Sequence, residues 1–545
     1  MLMRGKKSVW VSRIGLLALS LCATSLRAEE INGLWDRTEL FQPPIVQTGT
    51  TTDSASSVVT TVTFTGLPYK GAARTYSACL AVPKKLTGKA PAVVLVHGGA
   101  GTSFPQWATQ WADKGYVAIA PDVNFLMDSD HMFMMSNSGT AKDMWTYHAM
   151  GAVIGAVSAV AQHPQVDADR IAMMGISWGG YLTCIAAPID KRIKAAISVY
   201  GCGYFDDAEP SSGWHGPLVS GLDLAAFLSP AEQREWIQRF DCKQYLPMMD
   251  RPILFGTGTS DGTFPMNTFE KSLRLPTGKV ASRVIIEWGH DYSKPWASPE
   301  LIAFADQYLN KGAALVQFSA SGTTESTTWA TYTSDGELQN AGLVYTTDTT
   351  KEWRERNWSV APAKVDKQAK KISATLPDGA VAWFINATDS RGYTMSSLMQ
   401  IPRKTERAPL SQLDTSTRLS TAGWTASSSA GMDTPAAGID GLLRTRACRG
   451  GQHAGDFYQV DMGAPRRVSA LALHAVNGDW PQKYAVSVSS DGSTWGTPVA
   501  TGEGSDNNMQ ISFPPQTARY LKIELTADAP QRWWSVVELE LYGSR

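Results

Sequence analysis

Charge is scarce in this 545-residue chain: Asp, Glu, Lys and Arg make up 18% of it, against about 25% in an average domain. With 43% hydrophobic residues, the composition excludes a disordered or coiled-coil protein and leaves a chain able to bury a large core. Free cationic charge is scarcer still. Five of the basic residues, Arg4, Lys6, Lys7, Arg13 and Arg27, fall within the first 28 positions, leaving 44 basic against 50 acidic residues and a formal charge of −6 on the remainder. That balance argues against a nucleic-acid partner, because phosphate binding wants a clustered cationic surface. Cysteine is also sparse. Past the first 28 residues there are Cys79, Cys184, Cys202, Cys242 and Cys448, an odd number at a density far below that of a disulfide scaffold. At least one thiol is therefore unpaired, and Cys202 with Cys242 is the pair whose spacing would staple the ends of a long insertion. No CxxC or Cys/His spacing suggests zinc, and no tandem repeat suggests a solenoid.

Long apolar runs are missing too. The run 14–22 falls short of the ~20 residues that a membrane span requires, and no later segment comes closer, so no membrane span is expected. That run follows Lys6, Lys7 and Arg13 and precedes small residues up to Ala28, the layout of a cleaved signal peptide, 1–28. The mature chain is expected to begin near Glu29, in a secreted or periplasmic protein. The bulky Leu21 before Cys22 argues against a lipid-anchored form.

At about 100–200 residues per domain, the length predicts roughly three domains. Over 29–312, half-exposed alternating strands (58–65 and 75–82) lead into short apolar runs at 92–96, 117–120, 171–174, 195–199, 253–255 and 284–286. Such runs read as parallel strands buried on both faces. Helical stretches at 104–114, 141–162, 179–189 and 299–310 fall between them, which predicts an α/β layered domain. Over 313–401 the texture turns to Thr, Ser, Trp, Tyr and Val with turns such as Ser334-Asp335-Gly336, predicting an immunoglobulin-like β-sandwich. A polar stretch, 402–410, reads as a linker, and 411–545 is again β-rich.

The strongest chemical signal is Gly175-Ile176-Ser177-Trp178-Gly179-Gly180, between an apolar strand and a helix. This is a GxSxG turn in the strand–turn–helix setting that such a nucleophile needs. A serine hydroxyl attacks only when a base takes its proton, so an acid and a histidine should follow in the chain order Ser, Asp, His. Asp261, in Gly258-Thr259-Ser260-Asp261-Gly262, and His290, in Trp288-Gly289-His290-Asp291, each lie just beyond a predicted strand, at the rim where sites of open α/β sheets collect. Asp261 could instead be a turn aspartate, and Asp291 competes for the acid's role. An oxyanion hole needs two backbone N–H donors. One is expected from Trp178 and the other from Gly99 or Ala100 in His97-Gly98-Gly99-Ala100-Gly101. His97 in that loop and His148 within a helix read as structural. The insertion 201–240, with Trp214, His215 and Trp236, reads as a cap over the site or as a bland surface loop.

These motifs resemble those of the α/β-hydrolase superfamily, specifically secreted bacterial acetyl xylan esterase-like and dienelactone-hydrolase-like enzymes. The elbow followed by Gly180-Tyr181 is also similar to that of prolyl oligopeptidases, but only about 60 residues separate the signal from the His97 loop, too few for the propeller those peptidases carry. The C-terminal segment resembles the discoidin, or coagulation factor 5/8 type C, jelly-roll domain, on Gly438-Ile439-Asp440-Gly441, Gln459-Val460-Asp461-Met462-Gly463, Ser490-Asp491-Gly492-Ser493-Thr494-Trp495 and Trp533–Leu539. This second resemblance implies a glycan-binding module and a structural calcium with Asp440 and Glu538 as candidate ligands, oxygen donors of the kind calcium prefers. Arg446, His453 and Trp480 could bond to or stack on a sugar. Together the readings predict a serine esterase that removes acyl, most simply acetyl, groups from oligo- or polysaccharide and needs no cofactor for catalysis. The alternatives are a peptidase on the same three residues, or a carbohydrate-binding protein with an inactive hydrolase domain.

Overall fold

Unbroken runs of small and β-branched apolar residues build the centre of the structure, because the strands they form are covered on both faces. The computed structural model describes residues 30–31, 34–99, 101–125, 139–205, 230–324, 326–350, 352–401, 418–440, 446–475, 479–504 and 508–543. The signal segment, the linker 402–410, Ala100, and Trp214 and His215 of the insertion lie outside the described residues.

Three antiparallel strands open the main sheet: β1 (Val46–Asp53), β2 (Ser57–Thr65) and β3 (Thr75–Pro83). Six more follow: β4 (Ala90–Val96), β5 (Val117–Pro121), β6 (Val166–Ile176), β7 (Ile193–Val199), β8 (Ile253–Gly258) and β9 (Val280–Ile285). In space they lie in the order β1-β2-β3-β5-β4-β6-β7-β8-β9, with β5 through β9 all parallel. Every residue of β4, β5 and β8 is buried, which is why these strands read as apolar runs and not as alternating ones. Helices α1 (Pro105–Ala112), α2 (Trp145–Ala161), α3 (Trp178–Ile189), α4 (Pro230–Phe240), α5 (Met266–Leu273) and α6 (Pro299–Leu309) connect the strands. α3 is apolar all round and wholly buried, as a helix must be when strands and a second helix close over it.

The segment after α6 forms two four-stranded antiparallel sheets. One has β10 (Gln317–Thr324), β11 (Thr327–Thr333), β14 (Lys364–Asp366) and β15 (Lys371–Thr375), in the order β10-β11-β15-β14. The other has β12 (Leu338–Thr346), β13 (Ser359–Pro362), β16 (Ala382–Asp389) and β17 (Thr394–Ser396), in the order β13-β12-β16-β17. The second sheet does not stand free. β17 pairs antiparallel with β9 at Ser282 and Ser396, and the Val284 N–H donates to the Ser396 hydroxyl at 2.9 Å, so one 13-stranded sheet runs through both regions. Their apolar cores merge into a single cluster. The seam also holds the buried Glu300 carboxylate, which accepts from Arg283 Nε (3.1 Å), Ser298 Oγ (3.0 Å) and the Thr394 N–H (3.1 Å).

The remaining strands, β18 (Thr425–Ser428) to β25 (Glu538–Tyr542), make a β-rich unit with a separate core around Tyr458, Val486, Leu521, Trp534 and Leu541. All five described cysteines are free, which corrects the expected Cys202–Cys242 bridge. Cys202 hydrogen-bonds with the Thr268 hydroxyl at 3.3 Å, and Cys242 lies against Cys184. Burial pushes the Cys202 and Cys242 thiols well above their ordinary pKa, which keeps them protonated and unreactive.

Candidate active site

Ser177 occupies the turn between β6 and α3 with φ +59° and ψ −123°, a strained conformation for a side-chain-bearing residue that costs about 1–3 kcal/mol. Packing enforces it. A methyl group on Gly179 would stand 2.0 Å from the Val96 carbonyl oxygen, and one on Gly175 would stand 2.0 Å from that of Gly179. Only glycine lets strand, turn and helix approach this closely. The serine N–H is held by the Val199 carbonyl at 2.9 Å.

The serine hydroxyl meets a histidine. His290 Nε2 lies 2.8 Å from Ser177 Oγ, and Nδ1 lies 3.1 and 3.2 Å from the two carboxylate oxygens of Asp261. A carboxylate accepts, so Nδ1 carries the proton and Nε2 presents its lone pair to the serine. Asp261 is only 1% exposed, and its Oδ1 also accepts the N–H groups of Thr263 (2.7 Å) and Phe264 (3.1 Å). The imidazole rests against the Tyr200 ring at 4.5 Å and the Phe264 ring at 6.1 Å. Asp291 is engaged elsewhere, accepting from Ser293 Oγ (2.8 Å) and the Lys294 N–H (3.0 Å).

The loop after β4 runs past the serine: a methyl group on Gly98 would stand 2.6 Å from Ser177 Cβ. Gly99 and the Trp178 backbone flank this position, while Ala100 is outside the described residues. His97 is buried and braces the loop. Its Nδ1 donates to the Gly98 carbonyl at 2.7 Å, and its Nε2 lies 2.9 Å from the Val123 nitrogen and 3.2 Å from Asp122 Oδ1. Sequence reasoning missed a second brace, Tyr292, two residues past His290. Its hydroxyl donates to the Gly99 carbonyl at 3.1 Å, and burial pushes its pKa up to about 12. His148 is fully buried, 3.3 Å from the Tyr76 hydroxyl. Burial, reinforced by the Arg74 charge, pulls its pKa down to about 4, so it is a neutral packing residue. Trp236 stacks on Tyr181 and meets the edge of Phe205, packing on the elbow helix.

At the other end of the chain, Asp440 is exposed and Glu538 buried. Burial raises the Tyr458 pKa, and the negative charges of Glu538 and Asp440 add to that rise. Among the described residues no group of three or more His, Cys, Asp or Glu gathers as a metal site; Asp440 and Glu538 are oxygen donors of the kind calcium prefers. Loops of the same unit carry an exposed Trp533 (51%), with His453 and Trp480. The buried Gln452 ties them together, donating to the Trp480 and Trp533 carbonyls at 2.8 and 2.9 Å. Arg446 is turned to Asp479 at 3.4 Å.

Residues 76–275 match the Dienelactone hydrolase family, and residues 423–539 match the F5/8 type C domain. The chain joins a dienelactone hydrolase domain to an F5/8 type C domain. The hydrolase domain carries Ser177 and Asp261 within its matched span, and His290 lies 15 residues beyond it. Among curated relatives, a putative carboxymethylenebutenolidase of Escherichia coli K12 is 24% identical over 238 residues, 42% of this chain and 77% of that protein. A dipeptidyl-peptidase 5 of Porphyromonas gingivalis is 30% identical over 122 residues, 21% of this chain, which spans only 17% of the peptidase's length. Among solved structures, an acetyl xylan esterase from Paenibacillus sp. R4 is 22% identical with a TM-score of 0.42, covering 49% of this chain and 90% of that one. Among the described residues no helix is long and apolar enough to cross a membrane.

Proposed function

We propose that this dienelactone hydrolase-domain protein is a secreted or periplasmic serine esterase that removes acyl groups, most simply acetyl, from carbohydrate. The observation that carries the reading is the continuous hydrogen-bonded line from Ser177 Oγ through His290 to Asp261, at 2.8 and 3.1 Å. Ser177 attacks the ester carbonyl while His290 takes its proton. The backbone N–H groups of Trp178 and of Gly99 or Ala100 receive the oxyanion, and the imidazolium, facing the Asp261 carboxylate, returns the proton to the leaving alcohol. Water activated by the same histidine then hydrolyses the acyl-enzyme.

The carbohydrate half of the proposal rests on the F5/8 type C domain, whose loops around Trp533, His453 and Trp480 offer an aromatic and polar surface of the kind sugars stack on. A tethered binding module raises the effective concentration of the catalytic unit on a polymer. Asp440 and Glu538, with backbone carbonyls, would hold a structural calcium in that domain. In the middle unit, lettering β10–β17 as A, B, C, C′, D, E, F and G makes the two sheets A-B-E-D and C′-C-F-G, which supports an immunoglobulin-like reading. The test is acetate release from a panel of acetylated polysaccharides by the wild type and by Ser177→Ala. Release is expected from the wild type alone, and equal release from both would refute the esterase. Preferential cleavage of aminoacyl anilides over acetyl esters would favour a peptidase instead.

A further inference from the structure

The middle sandwich reaches the loop that carries Asp261. Between β12 and β13 the chain makes a short 3-10 turn, Trp353–Glu355. Trp353 is buried in the core that this unit shares with the hydrolase strands, and the Arg356 guanidinium lies 3.6 Å over its ring, so the backbone of the turn is anchored on both sides. Between them Arg354 lies across Gly262, the neighbour of Asp261. A methyl group on Gly262 would stand 2.8 Å from Cδ of Arg354 and 3.3 Å from its Nη1. Gly262 does not have a left-handed backbone, so a side chain at 262 would meet the arginine stem and would have to displace it. On its outer side the guanidinium is tethered to Glu352 Oε2 at 3.4 Å and Glu355 Oε1 at 3.7 Å. The result is that Gly262, Thr263 and Phe264 are buried, although their loop lies at the rim of the sheet.

We propose that Arg354 is a positioning residue of the active site, its aliphatic stem sealing the acid loop so that Asp261 keeps both oxygens on His290. The inference rests on the Ser177–His290–Asp261 reading above. Asp261 takes its orientation from two N–H groups in this loop, Thr263 and Phe264. Water entering over Gly262 would compete for the same carboxylate and loosen the loop, and small losses of alignment in such an assembly cost rate more than binding. The middle sandwich is then a working part of the catalytic unit and not a spacer.

The test uses the full chain with p-nitrophenyl acetate as the probe, measuring kcat and KM for the wild type, Ser177→Ala, Arg354→Ala, Arg354→Met, Gly262→Ala and the Gly262→Ala/Arg354→Ala double variant. Arg354→Ala should lower kcat roughly tenfold with KM unchanged. Arg354→Met, which keeps an apolar stem without the charge, should recover most of that loss. Gly262→Ala should displace the arginine and behave like Arg354→Ala, and the double variant should lose no more than either single one, because both remove the same contact. A kcat for Arg354→Ala within twofold of wild type, no recovery by methionine, or losses that multiply in the double variant would overturn the proposal. If Ser177→Ala keeps its activity, the underlying reading has failed. If Ser177→Ala is inactive and Arg354→Ala is not impaired, only this inference has.

Discussion

Replacing Asp261 with asparagine turns one acceptor oxygen into a donor NH₂ and changes almost no volume. Oδ1 already accepts the N–H groups of Thr263 at 2.7 Å and Phe264 at 3.1 Å, and those donors can only face an oxygen. The amide would therefore settle with its NH₂ in the place of Oδ2, 3.2 Å from His290 Nδ1, where two donors would oppose each other, while Oδ1, 3.1 Å from Nδ1, is already shared by two N–H groups. The imidazole escapes by moving its proton to Nε2. That nitrogen then donates to Ser177 Oγ, 2.8 Å away, and can no longer take the serine's proton. Packing and net geometry survive while the base is lost, and the carboxylate that would stabilise the imidazolium goes with it. A wrong tautomer of this kind costs on the order of 10⁴ in kcat, or about 5 kcal/mol of transition-state stabilisation. Steady-state hydrolysis of p-nitrophenyl acetate, with circular dichroism to establish the fold, measures it directly. A kcat for Asp261→Asn within tenfold of wild type would refute the reasoning and reduce Asp261 to a turn residue.

Tyr292→Phe removes the hydroxyl that holds the Gly99 carbonyl. Since a whole oxyanion donor is worth about 10²–10³ in kcat, loss of a brace should cost roughly tenfold in kcat with KM little changed, read by the same kinetics. An unchanged kcat would mean that His97 alone fixes the loop. Because His148 titrates near 4 when folded and near 6.5 when unfolded, the unfolded state binds the extra proton between those values. The protein should therefore lose up to about 3 kcal/mol of stability as pH falls from about 6.5 to 4, and His148→Phe should flatten that part of a thermal-melt pH profile. Calcium should raise the melting temperature of the F5/8 type C domain by several degrees over a chelator control, as ligand linkage requires. In Glu538→Gln the increment should shrink, and an identical calcium shift in that variant would remove Glu538 from the donor set.

The strands legible in the sequence are those whose environment is symmetric. β4, β5 and β8 are buried on both faces, so every residue had to be apolar or small, and the runs at 92–96, 117–120 and 253–255 stand out. β1 is the reverse case: Val46–Asp53 is exposed along its whole length, so neither alternation nor an apolar run betrays it, and only pairing with β2 makes it a strand. The elbow was legible because a strained turn between strand and helix needs glycines at fixed offsets from the serine, and chain order then pointed to Asp261 and His290, which stand within hydrogen-bond reach of one another and of Ser177. Tyr292 and Arg354 carry no such local mark. Tyr292 matters through a carbonyl 193 residues away, and Arg354 through a glycine in another unit, so neither spacing nor composition could single them out. Trp236, a plausible cap residue by sequence, instead fills the space behind the elbow helix, since an indole that large is worth more buried against Tyr181 and Phe205 than in water.

The join between the hydrolase strands and the middle sandwich also bears on the site. Without its neighbour, β9 would be an open parallel edge, its outer N–H and C=O groups free to pair with another chain. β17 covers it at Ser282, the Ser396 hydroxyl takes the Val284 N–H, Gln317 reaches the Val280 carbonyl at 2.9 Å, and Glu300 spans the seam. These contacts hold the strand whose end leads straight into His290, just as Arg354 covers the loop that follows β8 and carries Asp261. His290 and Asp261 thus follow the last two parallel strands at this side of the sheet, and both are held from outside by the same β-rich unit. A residue placed at a sheet's margin needs such a buttress to keep a 2.8 Å hydrogen bond in register, as His290 does with Ser177, and the fusion of the two sheets supplies it.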